Sequence, residues 1–185
     1  MNPISELRNA ALGWVDLIGR AKDDSAARFN ATPAGLVAML IWYTFFVIVT
    51  LVIQSLAGFG SLPGLEQLVV TLALNGLPML VILLVVWGTH ATLKPAVDLY
   101  ALLVPAGYAL VLLLVVGLAF SLLGFTLATA LQGMLGYMLY RLAREIAGLG
   151  IGISIAFALL SVVLLVALPI GLYMLLMPEL PDPNL

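Results

Sequence analysis

Long apolar runs divided by short polar breaks organise this chain. They cover about 34–57, 65–87, 95–120, 125–141 and 151–177. A helix rises about 1.5 Å per residue, so some twenty apolar residues cross a hydrocarbon core of roughly 30 Å. The runs therefore predict five membrane-crossing helices. Thr32-Pro33 gives the first a capping side chain and a proline at its first helical position. The glycine- and proline-rich 58–64 ends it. Pro78, beside Asn75-Gly76, and Pro105 with Gly107 predict bends in the second and third, and Pro169 lies within the last. Carbonyls freed near Pro78 need a partner, since hydrocarbon offers no water. The break 88–94 separates the second run from the third, which is expected to begin at Pro95 with Asp98 in its first turn. Ser121–Gly124 is a tight link that makes the third and fourth runs antiparallel neighbours.

Before the first run, Ile4, Leu7, Ala11, Trp14 and Ile18 recur at helical spacing, with Glu6, Arg8, Asn9, Asp16 and Arg20 on the other faces. This predicts an amphipathic helix after Asn2-Pro3. Two placements suit it: in the membrane interface, with Trp14 as an anchor at headgroup depth, or packed on the ends of the spans. The expected fold is thus an all-α polytopic transmembrane bundle of five helices. An N-terminal amphipathic interfacial segment (1–33) leads into a transmembrane domain (34–177) and a short acidic tail (178–185).

Composition supports this and removes other classes. Hydrophobic residues make up 64% of the 185 and charged residues only 9%, with mean hydropathy +1.22. Soluble domains carry about 25% charged residues. A net charge of −2 supplies no basic patch for nucleic acid. Cysteine is absent and His90 is the one histidine, so thiol chemistry, disulfides and clustered His or Cys metal sites are excluded, and no cofactor is expected. All seven lysines and arginines fall on one side of a five-span map. Such residues are held back in the cytoplasm, which places the N-terminus inside and the C-terminus outside.

Candidate chemistry is sparse. His90, Lys94 and Asp98 form one cytoplasm-facing cluster, readable as a polar mouth for a partner or as ordinary loop anchoring. Arg141, Arg144 and Glu145 form a second. Arg141 can meet Glu145 four residues on, and Arg144 could pair with Glu145 or with Asp98 to lock the inner loops together. Asn75, Thr129 and Gln132 are intramembrane polar groups suited to interhelical hydrogen bonds, and the small and polar residues of the fourth run suit a helix buried among others. Gly148, Gly152 and Ala156, four apart, would admit a close helix from this chain or a second copy. Met134, Met138, Met174 and Met177 read as gap-filling core. The spans lack a mid-depth charge, which disfavours ion-coupled transport. Nothing assembles a nucleophile and a base at one depth, so no enzyme is expected.

Several pieces resemble the Yip-type family of Rab-GTPase-interacting membrane proteins, in particular its bacterial relatives. They are Phe29-Asn-Ala-Thr-Pro-Ala-Gly-Leu entering the first run, Val104-Pro-Ala-Gly-Tyr-Ala-Leu in the third, and Tyr137-Met-Leu-Tyr-Arg-Leu-Ala-Arg-Glu-Ile-Ala-Gly-Leu closing the fourth. Ala109-Leu110-Val111 stands where the family often places a proline after its glycine–tyrosine pair. The acidic N-terminal segment of eukaryotic members is missing, with Asp98-Leu99-Tyr100 placed elsewhere, so binding to a GTPase is not carried over. The resemblance implies a non-enzymatic membrane protein that binds other proteins or shapes membrane. Expected partners are the lipid bilayer and either another membrane protein or a second copy. Two alternatives stand beside it: a small transporter or channel with a path past Asn75, Pro78, Pro105 and Gln132, and an accessory subunit of a larger complex with an unsatisfied face at Gly148–Ala156.

Overall fold

The apolar runs become helices whose charged ends gather on one side of a bundle. The computed structural model describes residues 3–19, 26–56, 65–123 and 128–176, which are all-α with no strand among them. They form α1 (Pro3–Gly19), a 3-10 turn (Ala26–Arg28), α2 (Pro33–Leu56), α3 (Leu65–Leu93), α4 (Tyr100–Leu122), α5 (Ala128–Arg141), a π turn (Leu142–Ile146) and α6 (Ile151–Leu176). The expected turn at 58–64, Gly124, the tail, Arg20, Lys22 and Met177 lie outside the described residues, while Ser121 and Leu122 of the expected link instead continue α4.

Local chemistry sets the helix ends. The Gly35 N–H donates to Thr32 Oγ1 (3.2 Å), satisfying one orphan donor of α2, and Pro33 follows the cap. After the π turn, Gly148 adopts φ 66°, a backbone open to glycine at little cost, and Leu149 N–H returns to the Ala143 carbonyl at 3.0 Å. This is a Schellman-like stop, widened by the π turn.

Two boundaries differ from expectation. Gly88 does not end α3, which continues to Leu93 and stops where Lys94 turns to φ 45°. Pro95 does not start α4, which begins at Tyr100 behind Asp98. The ring Nε2 of His90, in the last turn of α3, lies 3.0 Å from the Val97 carbonyl and closes this loop, so the chain turns later than hydropathy suggests. The prolines at 78, 105 and 169 sit inside continuous helices rather than dividing them.

Neighbour pairs fix the directions. Met39 of α2 lies against Gly107 of α4, and Leu131 of α5 against Gly117. Val86, Leu102, Leu142 and Phe157 share one level of the bundle, while Tyr43, Asn75, Leu113, Gln132 and Leu165 share another. Helices α2, α4 and α6 therefore run one way, α3 and α5 the other. The core is a single apolar cluster from Ala10 to Ala158, centred on α4, where every residue from Leu102 to Val111 is buried.

Among the described residues, four helices are long and apolar enough to cross a membrane: Pro33–Ile53, Asn75–Leu93, Tyr100–Leu122 and Ile151–Leu172. The expected count of five is not reached. Helix α5 has 14 residues, about 21 Å, and is less apolar than the others. It buries Leu135, Met138 and Leu139 and leaves Thr129, Gln132 and Gly133 exposed, so its polar face points out of the bundle rather than in. The methionines divide similarly: Met138 is core, whereas Met134 and Met174 are exposed.

Candidate functional site at the charged end

The starts of α2, α4 and α6 and the ends of α3 and α5 meet at one end, and α1 lies across it. Every described lysine and arginine (Arg8, Arg28, Lys94, Arg141 and Arg144) belongs to this end. What holds α1 there is specific. Its apolar stripe of Ala10, Trp14 and Leu17 is fully buried. Trp14 does not act as a headgroup anchor: it is 1% exposed, and its indole N–H donates to the Pro105 carbonyl of α4 at 3.1 Å. Burying the ring requires a partner for that N–H. The ring of Phe29 meets Trp14 edge-on at 5.9 Å. Of the two placements open to this helix, the structure packs it on the bundle.

Arg141 makes the second fastening. Its Nε donates to the Leu17 carbonyl at 3.0 Å, and its guanidinium lies 3.7 Å from Glu145. Leu17 belongs to the last turn of α1, whose carbonyls have no intrahelical partners and carry the negative end of the helix dipole. That turn has no basic residue of its own among those described; the cation arrives from α5. Two further links close the layer, Asn30 Nδ2 donating to Glu6 at 2.8 Å and Arg28 pairing with Asp16 at 2.7 Å. Neither follows from sequence, because both join α1 to a loop 12 or more residues away.

The remaining expected residues divide between local and outward roles. Asp98 accepts from the Leu99 N–H at 2.8 Å. Arg144 does not pair with Asp98 or lock the inner loops: its guanidinium donates to the Leu149 carbonyl at 2.9 Å, caps its own turn and stays exposed, as Glu145 does. Lys94 is exposed. The surface on offer is thus Lys94, Arg144 and Glu145, while Arg141 and His90 serve the fold.

Among the described residues, the deeper polar groups do not form a path. Tyr43 Oη donates to the Asn75 carbonyl at 2.7 Å, one residue from the carbonyl that Pro78 frees. Asn75, Pro78 and Gln132 line a cavity of about 230 Å³ whose walls are otherwise leucines and Tyr43. Pro105 lies apart from it, against Trp14. Near the charged end, the space between Val86, Leu102 and Phe157 shrinks to about 10 Å³, at the limit for one water. Gly148 ends the π turn rather than opening α6, and Gly152 and Ala156 are exposed, so no described helix of this chain packs on this small-residue face. No cluster of metal-ligating side chains occurs among the described residues. No family model, curated protein or solved structure matches the chain.

Proposed function

We propose that this is a non-enzymatic integral membrane protein that binds other proteins or organises membrane through its charged end, held on the cytoplasmic side of a bacterial inner membrane. The observation that carries this is the separation of labour within the bundle. Below the charged end lies a close-packed apolar core; at it, α1 is clamped across the helix ends and Lys94, Arg144 and Glu145 project from neighbouring turns. A solute path would need polar groups continuous through the core, whereas a docking face needs charge at the rim. The Yip-type resemblance of the sequence is retained as part of the proposal. Because α4 and α6 start at the same end, the chain returns between them through α5 and its π turn. We take this as a short crossing, which leaves the termini on opposite sides of the bilayer with the cations inside.

The test replaces Lys94 and Arg144 with Gln, since neither supports the core, and compares co-purifying proteins in gentle detergent. Loss of wild-type partners with unchanged melting supports the proposal; the same partners at the same yield overturn it. Reporters fused before Met1 and after Leu185 check the topology, and a signal from the same compartment would refute it. The cavity beside Asn75 and Gln132 is the one feature favouring the second reading, a small transporter. Solute flux in proteoliposomes that disappears on Gln132→Leu would move the assignment there.

A further inference from the structure

A larger and more polar space lies at the charged end, between α1, the loop before α2, and α4. Its volume is about 440 Å³, within the usual range of small-molecule sites, roughly 300–1,000 Å³. Glu6, Arg28, Phe29, Asn30 and Tyr108 are among its walls. Tyr108 is the unusual member. It is 1% exposed, and its hydroxyl, fully buried, meets no hydrogen-bonding group among the described residues. Buried hydroxyls are nearly always met by something, because leaving one unmatched forfeits its solvation for no return.

The charges around it select the ligand. Arg28 is neutralised by Asp16 at 2.7 Å, so its cation is already engaged. Glu6 accepts from Asn30 at 2.8 Å through one carboxylate oxygen, and an ionised carboxylate has capacity for further donors. Among the described residues, with Arg28 paired to Asp16, the balance at the cavity is one negative charge. A metal ion would want several carboxylates or imidazoles, and no such cluster is present among the described residues. An organic cation fits a single carboxylate beside the Phe29 ring. The unmatched hydroxyl further asks for a cation that carries N–H groups.

We propose that this cavity binds a primary ammonium group, with Glu6 as counter-ion and the Tyr108 hydroxyl as hydrogen-bond acceptor. The face of α1 turned away from the bundle exposes Ile4 and Val15 at 67% and 66%. Such a face suits the lipid interface, so the ammonium can come from an aminophospholipid headgroup or from a soluble amine. The inference stands apart from the partner-binding proposal, whose test residues Lys94 and Arg144 do not line the cavity.

The experiment uses the full chain in nanodiscs. Phosphatidylethanolamine is set against phosphatidylcholine, and ethanolamine against choline, with binding read by native mass spectrometry and by thermal shift. A quaternary ammonium keeps the charge but cannot donate to Tyr108, so the primary amine should be retained at least about tenfold better. Preference for the phospholipid alone assigns a headgroup site, and preference for free ethanolamine as well assigns the ammonium itself; both support the proposal. Tyr108→Phe deletes the unmatched hydroxyl and keeps the ring, while Glu6→Gln keeps an acceptor for Asn30, so both variants should fold and both should lose the preference. Equal retention of the two headgroups and the two amines, or a preference surviving both substitutions, overturns the proposal and leaves the hydroxyl to water alone.

Discussion

Trp14→Phe separates the two placements of the N-terminal helix by measurement. The substitution removes the indole N–H that donates to Pro105 at 3.1 Å and keeps an aromatic ring against Phe29. A hydrogen bond of this kind contributes about 0.5–1.5 kcal/mol. The smaller ring leaves a void of roughly 40 Å³, which at about 24 cal/mol per Å³ adds about 1 kcal/mol. Together the loss is about 2 kcal/mol, or roughly thirtyfold in the ratio of docked to undocked α1. Helix α1 makes no span, so the loss should appear as local opening and leave the bundle intact. Amide hydrogen exchange in nanodiscs reads this directly: α1 amides should exchange roughly thirtyfold faster while α4 and α6 keep their protection. Trp14→Ala, deleting a fully buried ring, should cost about 3–5 kcal/mol and release the helix. If α1 exchange rises less than about threefold, or α4 and α6 loosen in step, Trp14 is not the local clamp described here. An anchoring role at the headgroups would give an effect in nanodiscs that vanishes in detergent, whereas the clamp predicts the same loss in both.

Arg141→Gln should free the last turn of α1 more than the first, because it removes the donor to the Leu17 carbonyl. A bond from a charged donor, trimmed for partial exposure, is worth about 1–2 kcal/mol, so exchange at residues 15–19 should rise about tenfold. Gly35→Ala tests a sign. Helix propensity alone predicts a gain of about 1 kcal/mol, but an added Cβ would fall on the Asn30 backbone carbonyl, which the loop cannot easily move. A net loss of about 1–2 kcal/mol is expected, read as a lower melting temperature in detergent; a higher one would refute the packing described at this cap.

Hydropathy located the helices well and their neighbours poorly, and α4 and α6 explain the difference. Their apolar windows have mean hydropathies of 2.5 and 2.8, yet 61% of the first and 22% of the second is buried within the bundle. A helix apolar all round has no face to read, so sequence cannot say whether lipid or protein covers it. Small residues offer only a partial cue. Gly107 does bring α4 close to Met39, but Gly152 and Ala156 look just as small in sequence and face outward. The site was legible where it was local. The spacing of Arg141 and Glu145 and the Thr32-Pro33 start both produce the expected contacts. It was illegible where a backbone carbonyl on a distant element was the partner, as for Trp14 and Arg141, because a carbonyl has no signature in sequence.

That preference for carbonyl partners bears on how the charged end can work. In the spans, side-chain hydroxyls close on backbone: Thr50 on Phe46, Ser161 on Phe157, Tyr43 on Asn75. Such bonds satisfy polar groups in hydrocarbon without making one helix's position depend on another's charge. At the end, by contrast, Arg141, Glu6 and Arg28 tie α1 to α5 and to the loop before α2 through ionised groups. Links of that kind respond to whatever charge arrives beside them, and water there keeps the response to a few kcal/mol or less. A partner or headgroup binding at this end can therefore shift α1 without repacking the spans. That is the property a docking face needs, and α1 is the element on which to measure it.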